Sequence, residues 1–334
     1  MLTWHQLFNA SREKTYYTPN QMKPVFNLKF LFSAIAWLVC SLPAYADFPA
    51  PQKVAPNVYA FIGATEEASV QNRGAVANQG FIVGDSGIIV IDTGGSDEYG
   101  EYMLRAIAKI SDKPVVLVIT TFTGQDHVLG NGAFKRRKIA IVSHRDADKS
   151  MAEHCATCLA NLKKNIGEDI MANTKVNRPT LLLEQSINVK IAGRDLDIIF
   201  LGHANAPGAL AIYDRTSGVL FSGDVFSFDR LPETREAKVD GWLPAIELVR
   251  KLPLKQIVPG HGPVSKPARM AEVADYLRAL KTQTKKLYDD GVSLGDATNQ
   301  ASLPAYSKWA MYDLLHRRNI FNLYLELEAH EFTK

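Results

Sequence analysis

The 334-residue chain has little cysteine, no clustered charge of one sign and no tandem repeat or low-complexity segment. Three cysteines are too few for a disulfide scaffold, and the absence of a repeat excludes a solenoid. The formal charge is only +3, and residues 1–46 account for all of it with four basic side chains and one acidic one. Since the remainder is balanced and has no basic run, we do not expect nucleic acid as a partner.

Residues 1–46 have the pattern of a secretory signal. Lys23 and Lys29 precede an eleven-residue apolar run over 30–40, and the segment ends in Ala-Tyr-Ala46, which is typical of a cleavage site. The apolar run is short for a bilayer span, so an uncleaved anchor is the less favoured alternative. We expect translation to start at Met22, cleavage after Ala46, and a periplasmic or secreted protein with no membrane contact beyond the export signal.

Residues 47–334 alternate short apolar runs with longer amphipathic stretches. Strands are predicted at 57–62, 78–83, 87–92, 114–120, 139–143, 181–184, 188–191, 197–201, 209–213, 219–222 and 256–258. Helices are predicted at 96–110, 146–166, 241–251, 268–289 and 307–329. Two groups of strands flanked by helices predict an α/β fold with four layers, helix–sheet–sheet–helix. We expect one domain over 47–265 and a helical extension over 266–334 packed on it.

Cys155 and Cys158 form a C-x-x-C pair within the predicted helix 146–166. This spacing occurs in disulfides, in redox pairs and in half of a zinc site. The sequence has no second cysteine pair to complete a zinc cluster. In an exported protein we therefore expect a local disulfide or two unused thiols.

Histidine and aspartate follow four of the predicted strands, where functional sites are commonly built. These residues are Asp126 and His127 after 114–120, His203 after 197–201, Asp224 after 219–222, and His261 after 256–258. Taken singly, each has a structural interpretation, such as a helix cap for Asp224 or a turn around His261. Taken together, carboxylates and imidazoles from separate strand ends suit zinc, iron or manganese.

The sequence resembles the metallo-β-lactamase-fold hydrolases over nearly all of residues 47–334. The matching motifs are Asp92-Thr-Gly94, Asp126-His127, Gly202-His203 with Pro207-Gly208, Ser222-Gly-Asp224 and Pro259-Gly-His-Gly-Pro263. Within that superfamily it is most similar to exported metallohydrolases of sulfur-oxidation operons and of the quinoprotein relay system, through 127–134, Asp240-Gly-Trp242 and the tail from His316 to Glu328. The resemblance implies an αββα sandwich, a metal-dependent hydrolase and an exported quinoprotein or sulfur-oxidation partner.

The first motif of that superfamily, H-x-H-x-D-H, is incomplete in this chain. Phe122 and Gly124 stand where the resemblance places the two leading histidines, and neither side chain binds metal. The first metal position then keeps His203 and the shared Asp224. The second keeps its full set, which is Asp126, His127, Asp224 and His261. The resemblance therefore implies one metal ion at the second position, most simply zinc, with iron and manganese as alternatives.

Two functional hypotheses follow from this motif pattern. In the first, Asp126 is the catalytic residue that orients a water molecule and transfers its proton, while Asp92 lies behind the ligands and steadies the loop 121–127. The protein would then hydrolyse a small ester, thioester or lactam-like substrate. In the second, the loss of two histidines leaves a pseudoenzyme that uses the same fold for binding or as an accessory protein.

Overall fold

The computed structural model describes residues 48–331, which belong to the compact unit Tyr45–Lys334. The predicted export signal over 1–46 lies outside the described residues. Within the described part, no helix combines the length and apolar character needed to cross a membrane.

The described residues contain two sheets and eight α-helices. The strands are β1 Gln52–Ala55, β2 Val58–Phe61, β3 Gln79–Val83, β4 Ile88–Ile91, β5 Val115–Ile119, β6 Ala140–His144, β7 Leu181–Leu183, β8 Ile187–Ile191, β9 Arg194–Phe200, β10 Leu210–Asp214, β11 Val219–Phe221 and β12 Gln256–Val258. The helices are α1 Asp97–Ala108, α2 Gln125–Val128, α3 Asn131–Lys135, α4 Arg145–Ile166, α5 Val239–Arg250, α6 Met270–Asp289, α7 Leu294–Gln300 and α8 Tyr312–Glu331.

The first sheet has seven strands in chain order, β1 to β7, and the second has five in the order β12-β11-β10-β9-β8. Strands β1 to β4 pair antiparallel, whereas β4 to β7 pair parallel. In the second sheet only β11 and β12 are parallel. Parallel pairs matter here because their carboxyl ends lie at the same edge of the sheet.

Three apolar clusters separate the layers. One lies between the two sheets and includes Ile89, Ile119, Ile212 and Phe221. A second packs α1 and α3 on the outer face of the first sheet. The third packs α5, α6 and α8 on the outer face of the second sheet, around the fully buried Trp242. These clusters confirm the predicted α/β fold with two sheets and outer helices, and they place a helical region at the C-terminal end.

The two sheets are joined at the edge where β4, β5, β11 and β12 end. The backbone N–H of Asn78, which precedes β3, donates to the carbonyl of Gly260 at 2.7 Å, just after β12. The N–H of Leu210 in β10 donates to the carbonyl of Thr121, just after β5, at 2.8 Å. In each case the loop that follows a strand of one sheet is held against the beginning of a strand of the other sheet, which positions the polar residues described next.

Candidate metal centre

His127 lies in the short helix α2 and is fully buried. Its Nδ1 lies 2.9 Å from Oδ2 of Asp92, so this nitrogen carries the proton and donates it to the carboxylate. The same carboxylate accepts from the Thr121 N–H at 2.7 Å and from the Thr121 hydroxyl at 2.6 Å. Asp92 has φ of 58°, a left-handed conformation that aspartate tolerates better than most residues. Asp92 thus fixes the loop 121–127 and leaves the Nε2 of His127 facing the site.

Asp224 lies in a one-turn 3-10 helix, Gly223–Val225, directly after β11. Its Oδ1 lies 3.1 Å from Nε2 of His127 and 3.5 Å from Nε2 of His261. A Cβ on residue 260 would overlap this oxygen. Glycine at 260 is therefore required for the Asp224 carboxylate to point at the two imidazoles.

His261 follows β12 in the Pro259–Pro263 turn and is 4% exposed. Its Nδ1 donates to the carbonyl of Val76 at 2.9 Å. The turn is held by the side-chain amide of Asn78, which donates to the carbonyls of Pro259 at 2.9 Å and Gly262 at 2.8 Å. As in His127, the fold occupies Nδ1 and leaves Nε2 for a ligand.

Asp126 completes the group from the first turn of α2. Its Oδ2 lies 3.4 Å from Nε2 of His261. The donor atoms of Asp126, His127 and His261 all lie within 4.8 Å of one another, and Asp224 contacts both histidines. Two Nε2 atoms grouped with the Asp126 carboxylate, and an Asp224 carboxylate that contacts both imidazoles, are donors that suit a divalent metal. The Nδ1 partners are those expected behind metal-binding histidines.

Burial and charge act in opposite directions on these groups. Burial lowers the pKa of His127, but the Asp224 and Asp92 carboxylates outweigh it and raise that pKa well above 6.5. Burial raises the pKa of Asp224, but His261 and His127 outweigh it and hold the pKa of Asp224 far below its usual range. The site therefore favours a cation among its carboxylates, whether it is a proton or a metal ion.

His203 is not brought to this group, although the sequence analysis placed it among the metal ligands. Its side chain is exposed, and its Nε2 donates to the backbone carbonyl of Glu236 at 2.6 Å. It lines a separate surface depression with His154 and Lys149. The position of His203 directly after a strand predicted that it would reach the site, but in the structure its imidazole is hydrogen-bonded to the Glu236 carbonyl instead.

Phe122 and Gly124, the positions of the two replaced histidines, pack against each other. A Cβ on residue 124 would overlap the Phe122 ring. That ring lies edge-on to His127, with centroids 4.7 Å apart. Gly124 has φ of −53° and ψ of 137°, values that any residue adopts. The phenyl ring therefore occupies the space that a side chain at 124 would need.

The C-x-x-C pair lies on α4, beside the loop 121–127 rather than among the metal-binding atoms. Both thiols are free. The Cys155 thiol donates to the Thr123 carbonyl at 3.7 Å, and burial raises its pKa to about 12. Cys158 faces the cavity in front of the site. The unused-thiol alternative fits this arrangement.

A cavity of about 380 Å³ opens in front of Asp126, Asp224 and His261. Sequence analysis did not identify two residues that line it, Asn205 and Arg230. Asn205 is 5% exposed, and its Oδ1 has no hydrogen-bond partner among the described residues. Arg230 is 7% exposed. The sequence offers little signal for Arg230, which follows the oppositely charged Asp229 in the mixed segment after Asp224.

Comparison with known proteins gives one family and several structural relatives. The family model of the metallo-beta-lactamase superfamily matches residues 73–261, just over half of the chain. A linear primary-alkylsulfatase from a Pseudomonas species is 23% identical over 262 residues, which cover 66% of this chain and 49% of that relative. The chain thus spans about half the length of this curated relative.

Solved structures show the same fold at low identity. The stereoselective inverting sec-alkylsulfatase Pisa1 from Pseudomonas sp. aligns with a TM-score of 0.65 at 18% identity, covering 83% of this chain and 50% of that one. A metallo-beta-lactamase from Pontibacter korlensis aligns with a TM-score of 0.56 at 20% identity, covering 68% of this chain and 98% of that one. The cores of both relatives thus share the two-sheet architecture.

Proposed function

The chain belongs to the metallo-beta-lactamase superfamily, and we propose that it is a hydrolase that uses one metal ion held by Asp126, His127, Asp224 and His261. The observation that carries the proposal is the convergence of two buried Nε2 atoms on two carboxylates at the base of an open cavity. A divalent ion bound there would supply Lewis-acid activation of water for nucleophilic attack.

The residues around the ion have separate tasks. Asp92 and the Val76 carbonyl hold the two imidazoles so that Nε2 of each points inward. Asp126 lies at the cavity wall, and its carboxylate has one side open to solvent. We assign it the role of general base. It orients the attacking water and takes its proton.

The hydrolysis balances without any further reactant. The water oxygen adds to the electrophilic carbon of the substrate, the bond to the alcohol or thiol breaks, and Asp126 returns the proton to the leaving group. For a lactam the same proton goes to the ring nitrogen. The proposed substrates are a small ester, thioester or lactam, and the names of the two alkylsulfatase relatives add sulfate esters to this set. For an aryl sulfate ester the water oxygen would add to sulfur, the S–O bond to the phenol would break, and Asp126 would return the proton to the phenolate oxygen.

One ion is proposed rather than two because the first metal position lacks donors. Phe122 and Gly124 bring none, and His203 is bonded to the Glu236 carbonyl. Zinc is the proposed metal because it accepts imidazole and carboxylate together in four-coordinate sites. Iron and manganese accept the same donor types.

A pseudoenzyme is the second candidate, favoured by the way Phe122 fills the space beside Gly124. In this alternative the loop has closed around the missing histidines, and the cavity binds a ligand without transforming it. The two candidates differ in metal content, because only the hydrolase requires an ion.

We also propose export through residues 1–46, on the basis of the basic, apolar and Ala-x-Ala sequence pattern. A periplasmic or secreted location would place the protein beside exported quinoprotein or sulfur-oxidation systems, the partners that the motif resemblance suggests.

Metal analysis tests the central claim. Purified protein loaded with zinc and freed of excess should retain about one equivalent per chain, and His261→Ala should reduce this to near zero. At a zinc concentration a thousandfold above Kd, the ion should raise the free energy of unfolding by about 4 kcal/mol, measured by thermal unfolding with and without a chelator.

The matched control is His203→Ala, which removes a histidine that the sequence suggested as a ligand but the structure places apart. This variant should keep one equivalent of zinc and the full thermal shift. A wild-type protein that binds no divalent metal would contradict the hydrolase and leave the pseudoenzyme. Two equivalents, one of them lost in His203→Ala, would contradict the single-metal arrangement.

A further inference from the structure

Arg230 lies in the segment between Asp224 and α5, and its backbone is held on both sides. The Ser227 hydroxyl donates to the Arg230 carbonyl at 2.8 Å. The Leu231 N–H donates to the Ala310 carbonyl at 3.1 Å, and the Ala310 N–H donates to the Asp229 carbonyl at 2.8 Å. The stretch that precedes α8 therefore fixes where this arginine emerges.

The Arg230 guanidinium is buried without a counter-charge. Its Nε donates to the carbonyl of Thr65 at 3.1 Å. Within residues 48–331, no carboxylate forms an ion pair with it and no acceptor engages its two terminal nitrogens. The other buried arginine among the described residues, Arg194 at the start of β9, is also 7% exposed but is paired with the fully buried Asp214.

This contrast matters because burying a charge is costly unless a partner compensates it. Arg194 is compensated within the protein. Arg230 is not, and it lines the same cavity as Asp126, Asp224 and His261. The Arg230 guanidinium is fixed through Nε, and its two terminal nitrogens have no acceptor among the described residues. It can therefore bind a negatively charged ligand in the cavity that contains the candidate metal centre.

The other arginines of this cavity already have partners. Arg235 pairs with Glu233 at 2.7 Å, and Arg318 pairs with Glu67 at 3.1 Å. The acidic Glu236 also lines the cavity, where it accepts from the Ser150 hydroxyl at 3.3 Å. Arg230 is therefore the arginine in this cavity that has no carboxylate partner among the described residues. The unpartnered amide of Asn205 is a second polar group available there.

We propose that Arg230 binds an anionic oxygen group of the substrate, so that the site selects negatively charged esters over neutral ones. The inference rests on the proposed hydrolase activity and adds a substrate class to it. Both a carboxylate and a sulfate present two oxygens that match the guanidinium fork. A carboxylate would be a remote anchor on the acyl chain, whereas the sulfate of a sulfate ester would itself be the reacting group.

The test compares three para-nitrophenyl substrates on the zinc-loaded protein: the neutral acetate, the singly charged succinate monoester and the sulfate ester. Arg230→Gln should lower kcat/KM for the preferred charged substrate by about 10- to 100-fold, the effect of losing a charge-assisted hydrogen bond. The value for the acetate should change by less than about twofold. Arg230→Lys keeps the positive charge but not the two-pronged guanidinium. Its kcat/KM for the charged substrate should lie between the values of the wild-type protein and Arg230→Gln.

Arg318→Gln is the matched control, since it removes a positive charge from the same cavity but from an existing ion pair. It should lower kcat/KM for the charged substrate less than about threefold. An equal loss in Arg318→Gln and Arg230→Gln would overturn the proposal in favour of a general effect of cavity charge. A larger loss for succinate or for sulfate identifies which oxygen group Arg230 binds.

Binding measurements separate this inference from the proposed function. Calorimetric titration of the metal-free protein with succinate and with sulfate should show binding of at least one anion, weakened by about tenfold or more in Arg230→Gln. Wild-type protein that hydrolyses no ester but binds an anion through Arg230 would overturn the hydrolase alone. If the protein hydrolyses esters but the ratio of kcat/KM for charged and neutral substrates is the same in the wild-type protein and both Arg230 variants, this inference alone is overturned.

Discussion

At the scale of single residues, the two metal-centre histidines are oriented by different acceptors. His127 donates its Nδ1 proton to the Asp92 carboxylate, whereas His261 donates to the neutral carbonyl of Val76. A carboxylate makes the imidazole a stronger donor to a metal than a carbonyl does. His127 is also the more deeply buried of the two. It is thus both the stronger ligand and the one whose orientation depends on a charged partner.

The Phe122–Gly124 contact can be measured as a coupling energy. Gly124→Ala should destabilise the protein by about 1–3 kcal/mol, because the new methyl group overlaps the Phe122 ring and overpacking has this cost. In a Phe122→Ala background the same substitution should cost close to nothing, since the backbone angles of residue 124 suit any residue. Denaturant unfolding of the four proteins gives the coupling.

A Gly124→Ala cost that persists without the phenyl ring would show that the backbone, rather than Phe122, excludes a side chain at this position. The same variants also show whether histidines could be accommodated at positions 122 and 124. If the ring alone fills the space, replacing both residues with histidine is sterically permitted. His203 would still need to leave the Glu236 carbonyl before a second ion had three imidazoles.

Sequence analysis identified most of the candidate site because the relevant residues directly follow strands. The places of Asp126, Asp224 and His261 could be predicted from the strand assignments and the rule that strand ends meet at one edge of the sheet. His203 also follows a strand, but its side chain lies away from the site. Arg230 could not be found in this way, because its significance lies in the absence of a carboxylate partner. That absence depends on three-dimensional packing.

At the scale of elements, α8 is tied to the segment that carries Arg230. The Oδ1 of Asn319 accepts from the N–H of Thr234 at 2.9 Å and from its hydroxyl at 3.0 Å. The Nδ2 donates to the Pro232 carbonyl at 2.8 Å and to the Tyr276 hydroxyl at 2.9 Å. This fully buried side chain therefore links α8, α6 and the wall of the cavity.

Asn319→Ala should lower the free energy of unfolding by about 2–4 kcal/mol, because it leaves several buried polar groups without partners. Asn322→Ala is the control on the same helix. Its amide donates only to the Thr234 hydroxyl, at 3.4 Å, from a half-buried position, so its loss should cost less than about 1 kcal/mol. Chemical unfolding of both variants gives these values, and equal costs would contradict the linking role of Asn319.

The predicted strands and long helices agree with the structure to within a few residues, whereas one strand and three short helices were missed. Strand β1 and helices α2, α3 and α7 have no counterpart in the sequence prediction. The three helices have seven residues or fewer, which is too short for a helical hydrophobic period to be read, and β1 has the half-polar sequence Gln-Lys-Val-Ala without a buried residue. Helix α2 exists because its backbone is bonded into the loop that Asp92 holds, and such tertiary constraints leave no local pattern.

In the molecule as a whole, the C-terminal helices form part of a hydrophobic core rather than packing on its surface. Side chains from α6 and α8, including Leu277 and Ile320, share one buried cluster with Tyr213 and Leu220 of the second sheet. The matched family region ends at residue 261, before these helices begin. The outer face of the second sheet would thus lose much of its cover without the extension, although the candidate metal ligands precede it.

The electrostatics of the metal centre should also appear in global stability. In the metal-free protein the raised pKa of His127 stabilises the fold fully below its unfolded value of 6.5, and this contribution declines as pH rises toward the folded value. The slope is at most about 1.4 kcal/mol per pH unit. A bound metal ion replaces the proton and binds more tightly at higher pH.

The difference in melting temperature between zinc-loaded and metal-free protein should therefore widen as pH rises above about 6.5. Thermal unfolding at several pH values, with zinc or with a chelator, measures this difference directly. Asp92→Asn is the matched comparison because it removes one of the two carboxylates that raise the pKa of His127. Its metal-free form should lose less stability as pH rises, and the loss should end at a lower pH than in the wild-type protein, because only the folded-state pKa of His127 is lowered. A constant difference across this range would mean that His127 holds no extra proton in the metal-free state, and that the buried carboxylates are compensated by another group.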